Sequence, residues 1–223
     1  MENKQKRRTK HDVKFNVTLD AEQKAAAEQI ASNPFTFLLG NAGSGKTLLA
    51  AQVALKHFFN RTFNKIVVTR PTVSSEENGF LPGDIYQKME PWMVPIMDNL
   101  LKVYPYQAKL EEMRNDKAIE LVALTHFRGR TFENSICIVD EFQNLTEKQL
   151  EMCIGRLGTN SIMIFCGDLN QIDLALRFKT VHNVISAIRE SKHVNVIELK
   201  NNHRHLALEE IFSLIKKFND GNQ

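Results

Sequence analysis

Apolar residues recur along this chain in two alternating rhythms. Short runs rich in β-branched side chains fall at Phe35–Leu39, Lys65–Thr69, Ile119–Leu124, Ser135–Val139, Ser161–Cys166 and His193–Leu199. Between them lie longer stretches with helical spacing, at about Ala21–Ala31, Lys46–Phe59, Ile85–Lys102, Glu147–Leu157, Thr180–Glu190 and Leu206–Asn219. Strand and helix patterns that alternate in this way predict an α/β fold, in which βαβ units build a largely parallel sheet buried on both faces by helices. The last helix has a stop signal in Asp220 and Gly221. The segment "RPTVSSEENGFLPGD", Arg70 to Asp84, carries two prolines and two glycines. It is expected to be a long surface loop facing a ligand or partner.

Composition changes this picture little. A chain of 223 residues, 43% hydrophobic, can bury one substantial core, and nothing suggests a fibrous or disordered class. The formal net charge is +3. Residues 1–14 hold six Lys or Arg against Glu2 and Asp12, so the rest of the chain is close to neutral. Residues 1–18 are therefore expected to form a basic, flexible tail, and residues 19–223 a single domain. Such a tail could also hold phosphate backbones by counterion release. Cys137, Cys153 and Cys166 lack metal-ligand spacing and are expected to be structural thiols in a reducing compartment. No run approaches the roughly 18 apolar residues of a membrane span, so a soluble, cytoplasmic protein is expected.

The sharpest chemical signal is "GNAGSGKT", Gly40 to Thr47. It matches G-x-x-x-x-G-K-T between a predicted strand and a predicted helix, the context in which such a loop cradles phosphates. Its glycines let successive N–H groups aim at an anion, and the following helix terminus adds positive partial charge. Lys46 is expected to reach the outer phosphates and Thr47 to offer a hydroxyl to Mg²⁺. "SICIVDEFQN", Ser135 to Asn144, supplies the acids: Asp140 for the metal, Glu141 to orient or deprotonate water. A third run, "SIMIFCGDLNQIDL", ends in Gly167, Asp168 and Gln171, which should enter the same crevice at the carboxyl ends of the strands. Gln171 is the candidate contact to a γ-phosphate or to the attacking water.

These blocks, with "LDAEQKAAAEQI" before the loop and "LKNNHRH" near the end, resemble the Q motif and motifs I to IV of the first motor domain of superfamily 1 helicases. "TRPTVSSEENGFLPGD", "EPWMVPIMDNL", "FRGRTFENS" and "IGRLG" resemble more closely still the blocks of PhoH-like ATPases, over about Leu19 to Leu214. The resemblance implies a P-loop NTPase with a RecA-like sheet, using ATP and Mg²⁺. It implies that Gln23 reads adenine and that Arg204 contacts the γ-phosphate. Nucleotide contacts are expected from Gln23, Asn41, Ala42, Gly43, Ser44, Gly45, Lys46, Thr47 and Leu48. Arg128, Arg130 and Arg156 sit in family-typical positions with no role fixed by the sequence. The chain has room for one motor domain, and neither a second one nor a fused PIN domain is expected. A single motor domain whose Arg204 is insufficient needs a neighbour's arginine in trans. Head-to-tail packing then implies a ring-like homo-oligomer, a hexamer by resemblance.

Two functions fit this reading. One is ATP hydrolysis coupled to single-stranded RNA or DNA, touched by the loops at Arg70–Asp84 and Phe127–Thr131, with Phe80 available for stacking. Phe80 and Trp92 equally suit packing. The other is an ATP-gated oligomeric assembly protein acting on a protein partner. A small-molecule kinase fits less well, because the DE pair and the GDxxQ block suit water activation.

Overall fold

The structure is a computed structural model and describes residues 13–71, 85–169, 180–204 and 206–221. Helix α1 (Ala21–Ile30) opens on a capping box: the Asp20 carboxylate accepts from the Gln23 N–H, while the Gln23 side chain accepts from the Asp20 N–H. Strand β1 (Phe35–Gly40), helix α2 (Lys46–Phe59), strand β2 (Lys65–Thr69) and helices α3 (Ile85–Val103) and α4 (Gln107–Asn115) follow. After them come β3 (Ile119–Leu121), β4 (Ser135–Asp140), α5 (Glu147–Ile154), β5 (Ile162–Gly167), α6 (Thr180–Ile188), β6 (Val194–Leu199) and α7 (Leu206–Gly221).

The strands pair in the order β3-β2-β4-β5-β1-β6, and every pairing is parallel. Side chains alternate between two buried layers, as the period of 2 requires. Leu38, Ile66, Val68, Ile136, Ile138, Ile162 and Ile164 meet residues of α1 to α4 on one face. Phe37, Val67, Cys137, Val139, Met163 and Phe165 meet α5 and α6 on the other. Each such side chain contributes about 1.5–3 kcal/mol by leaving water. Within the second layer Phe37 stacks on Phe165 at 4.5 Å, and Phe142 stands edge-on to both.

The sequence pattern missed α4, whose apolar face is only Leu110 and Met113 and whose N-cap Tyr106 makes no side-chain hydrogen bond. Strand β3 stops at Leu121, because the chain turns into a 3-10 turn at Leu124–Phe127. Helix α5 stops at Ile154, capped by Gly155, which frees Arg156–Gly158 to run against Phe132. The packed body starts ahead of α1: the Asn16 N–H donates to Val103 O at 2.9 Å, and Phe15 and Val17 lie on the core. The rest of the basic tail, residues 1–12, and most of the Arg70–Asp84 loop, including Phe80, lie outside the described residues, as does the Trp92 side chain.

One topological consequence positions the site. From β1 the chain crosses past β5 and β4 to β2, whereas from β5 it crosses the other way, past β1, to β6. Connections that diverge leave a crevice at the carboxyl ends of β1 and β5, where α/β sheets bind ligands.

Candidate active site

The Gly40–Thr47 loop fills that crevice. Gly43 and Gly45 have φ of 92° and 81°, values that any side chain would strain. Space enforces the same choice: a Cβ on Gly43 would collide with the Arg204 side chain, and one on Gly45 would lie 2.7 Å from Gln23 Nε2. Lys46 Nζ turns back onto the loop, donating to Gly40 O at 2.7 Å and Asn41 O at 3.0 Å. The Ser44 hydroxyl is buried without a hydrogen-bond partner. Asn41 is exposed, whereas Leu48 packs on the core at the start of α2. A glycine loop at a helix N-terminus, with an ammonium folded back onto its own carbonyls, is a cradle suited to an anion.

Strand β4 ends in the acids. Thr47 Oγ1 donates to Asp140 Oδ1 at 2.7 Å, so the first turn of α2, which follows β1, and the end of β4 meet directly, although β5 lies between β1 and β4. Asp140 is only 4% exposed. Burial pushes its carboxyl up to about 6, and the neighbouring Glu141 charge adds to this, against the Thr47 hydrogen bond and the Arg70 and Lys46 charges. Glu141 is half-buried and adopts φ 52°, a left-handed conformation costing a non-glycine about 1–2 kcal/mol. The buried Phe142 ring pins the following turn beneath it.

Three polar side chains complete this edge. Arg70 directly follows β2, whose register sets Thr69 beside Val139. Its guanidinium therefore reaches both acids, at 3.9 Å from Asp140 and 3.5 Å from Glu141. Gln143 donates to Glu141 Oε2 at 2.6 Å and accepts from the Asp168 N–H at 3.2 Å. The Thr69 hydroxyl is buried without a partner. Sequence reasoning assigned none of the three. The signal for Arg70 was available in the strand pairing alone, since the residue after β2 must sit beside the residue that ends β4.

The segment after β6 closes the other side. The His203 N–H donates to Gly43 O at 3.0 Å, and Arg204 lies across Gly43. Glu22 accepts from the Lys200 and Asn201 N–H groups, and Asp20 from the Asn201 side chain, with His203 Nε2 3.2 Å from its carboxylate. The Gln23 N–H, with the Asn201 amide, holds the Asp20 carboxyl below its ordinary range. Gln23 is buried, and both ends of its amide are engaged, the oxygen by the Asp20 N–H and the nitrogen by Ser44 O and His203. The structure thus brings Gln23, the loop, Asp140, Glu141 and Arg204 together at one edge. Gln171 lies outside the described residues.

The family-typical arginines go elsewhere. Arg130 pairs with Glu120 at 2.5 Å and covers the Phe132 ring at 4.9 Å, a structural placement. Arg128 is exposed. Arg156 has a buried Nε without a partner, and its carbonyl accepts from the Phe132 N–H. The "RGRT" and "IGRLG" blocks therefore meet each other near the starts of β4 and β5, at the end of the sheet opposite the acids. Cys137, Cys153 and Cys166 are buried free thiols, and burial pushes Cys137 and Cys153 up to about 12. No helix among the described residues is long and apolar enough to cross a membrane.

Known proteins are similar to this chain. The PhoH-like protein of Synechocystis sp. is 40% identical over 153 residues, which cover 68% of this chain and 46% of that protein. Protein PhoH of Escherichia coli is 38% identical over 147 residues, covering 65% of this chain and 42% of its own. The chain thus spans less than half the length of the curated relatives it matches. Among solved structures, the large terminase of a thermophilic bacteriophage superposes with a TM-score of 0.54 at 10% identity, over 82% of this chain and 46% of that one. This likeness shows the P-loop NTPase fold. The family model described as PhoH-like protein matches residues 17–216, and this chain belongs to the PhoH-like family.

Proposed function

We propose that this protein hydrolyses ATP in a Mg²⁺-dependent reaction coupled to single-stranded RNA or DNA. The observation that carries the hydrolytic part is the direct contact of the loop with the acids, Thr47 to Asp140 at 2.7 Å. The donor set suits the metal: a hydroxyl and a buried carboxylate of raised proton affinity, with a second acid beside them, are hard oxygen ligands short of a cation. Mg²⁺, held by Thr47 and Asp140, would supply positive charge to the phosphate oxygens. Lys46 exchanges its loop carbonyls for the outer phosphates. Glu141 takes the proton of the attacking water, and Arg204, already over Gly43, faces the terminal phosphate. Gln23 contacts adenine once its amide is released from Ser44 and His203. Gln171 reports loss of the γ-phosphate to the loops that hold the polymer.

In a ring-like homo-oligomer of six subunits, a neighbour's arginine adds to Arg204, and three buried thiols suit the reducing cytoplasm. The coupling to nucleic acid rests on the resemblance, on the superfamily's motif order and on the basic N-terminal residues. A second reading, an ATP-gated assembly protein with a protein partner, is favoured by the face of α7, where Leu208, Ile211, Leu214, Ile215 and Phe218 are exposed.

One experiment separates the two: the steady-state rate with and without single-stranded RNA and DNA, over a protein dilution series and at two salt concentrations. Stimulation by one polymer that weakens with salt supports the coupled ATPase and names its polymer. A rate indifferent to both polymers but falling on dilution supports the assembly reading. A monomer with a concentration-independent rate rules out the ring.

A further inference from the structure

Both oxygens of the Glu141 carboxylate are held, one from the end of β2 and the other from the turn that follows β4 itself. Oε1 accepts from Arg70 Nη2 at 3.5 Å and Oε2 from Gln143 Nε2 at 2.6 Å. Arg70 belongs to the end of β2, on one side of β4. Gln143 is 2% exposed, and its own oxygen accepts from the backbone N–H of Asp168 at 3.2 Å, just past the end of β5 on the other side. The carboxylate is therefore held by Arg70 on one side and by Gln143 of its own turn on the other, and Gln143 is itself anchored to the residue that follows β5.

The residue types fit this task and not general packing. A primary amide can donate to a carboxylate with one atom while accepting a backbone N–H with the other, which neither an apolar residue nor an ionised glutamate can do. Room has been left for it: a Cβ on Gly167 would collide with Gln143 Oε1 and lie 2.7 Å from the Phe142 ring. Arg70 adds charge to geometry, since one guanidinium spans Asp140 and Glu141, a reach that a lysine point charge lacks. The left-handed backbone of Glu141 supplies a further reason for restraint, because strain persists only where surrounding contacts over-determine the conformation.

We propose that Arg70 and Gln143 are positioning residues for the hydrolytic reaction, fixing the Glu141 carboxylate from the end of β2 and from the turn after β4, the latter anchored past the end of β5. The proposal rests on the hydrolytic reading above and deepens it. Fixing a general base in its productive geometry raises kcat and leaves ground-state binding alone. R70A and Q143A are expected to lower kcat about 10- to 100-fold, while ATP affinity stays within about threefold. Q143E, which sets a second charge against Glu141, falls further, and R70K recovers part of the R70A loss.

The deciding comparison repeats R70A and Q143A in the E141Q background. A pair that acts through Glu141 has nothing left to lose there, so no further fall is expected. The same factor lost again, or a matching loss of ATP affinity, overturns the proposal. A readout independent of turnover is the side-chain NH₂ signal of Gln143 in protein carrying ¹⁵N-glutamine, assigned by its disappearance in Q143A. It should shift in E141A and R70A and stay in place in K56A, on the far end of α2. If the wild type hydrolyses no nucleotide, the hydrolytic reading fails, and this spectrum alone decides the positional claim. A Gln143 signal indifferent to E141A overturns it.

Discussion

Strand β2 serves one acid cluster at each end, and the two differ in one respect. At its start, Lys65 and Arg130 hold Glu120 of β3 at 2.8 and 2.5 Å. Burial there acts to raise the Glu120 carboxyl, but the two cationic hydrogen bonds outweigh it and hold the group below its ordinary range. At its end, Arg70 stands 3.9 Å from Asp140, burial dominates, and the carboxyl rises to about 6. One cluster is satisfied and the other is short of positive charge. A buried acid left under-compensated destabilises the unliganded fold and becomes favourable only when a cation arrives. The contrast separates an acid cluster paired within the chain from one that a cation would stabilise, as the proposed function requires.

The largest effect expected from breaking this contrast is at Glu141. Replacing it by Gln keeps the shape but removes the base and one of the two acceptor oxygens, so kcat should fall about 10²- to 10⁴-fold with ATP affinity largely intact. Rapid filtration of labelled nucleotide alongside the rate measurement checks both halves, and normal hydrolysis by this variant would reject Glu141 as the base. Next comes Lys46→Ala. It deletes charge-assisted contacts to the phosphates of about 1.5–3 kcal/mol, a loss of about 10- to 100-fold in nucleotide affinity by equilibrium titration. Together the two variants separate chemistry from binding.

A smaller effect follows from the proton on Asp140. Its folded value, about 6, lies above the ordinary 3.8, so the folded state holds a proton that the unfolded chain has released between those values. The stabilising contribution is complete below about pH 4 and is lost as pH rises to about 6. In the proposed reaction Mg²⁺ would need the ionised acid, so proton and metal would compete. The Mg²⁺ affinity of the protein with nucleotide should fall about tenfold per pH unit below about 6 and level off above it. Titrations at pH 5, 6 and 7.5 test this, and an affinity flat across that range would remove Asp140 from the metal site.

Much of this was legible in the order of residues. The alternating runs predicted all six strands, because a doubly covered parallel sheet writes its burial into continuous apolar stretches such as Ile136–Val139. The loop and the acids were legible because their chemistry is local in sequence. Arg70, Gln143 and His203 were not, for a shared reason: each has a partner that only strand order brings to it, although Gln143 also bonds Glu141 within its own turn. The pairing of β2 with β4 delivers Arg70, that of β4 with β5 delivers Gln143 to Asp168, and that of β1 with β6 delivers His203 to Gly43. Helix α4 escaped for the opposite reason, as too few of its residues face the core to leave a period. The arginines of "RGRT" and "IGRLG" show a third case. Their pattern was clear, but a motif states which residues recur and not whether they serve chemistry or, like Arg130, hold two strands together.

The satisfied cluster supplies the complementary test and the smallest effect. Glu120→Gln removes a charge held by Lys65 and Arg130 and leaves two cations facing an amide, for a stability loss of about 1 kcal/mol. The sign with pH is the reverse of that for Asp140. A depressed carboxyl contributes above the unfolded value, 4.5 for a glutamate, and the contribution disappears as pH falls through the folded one. Wild type and variant should therefore differ in urea midpoint at pH 7 and converge toward pH 3. Throughout, kcat and nucleotide affinity should stay at wild-type values, because β3 ends at Leu121 without reaching the crevice. Were Glu120→Gln instead to lower kcat with no change in urea midpoint, the Arg130 side of β2 would belong to the reaction. The division between a structural and a ligand-awaiting end of β2 would then be wrong.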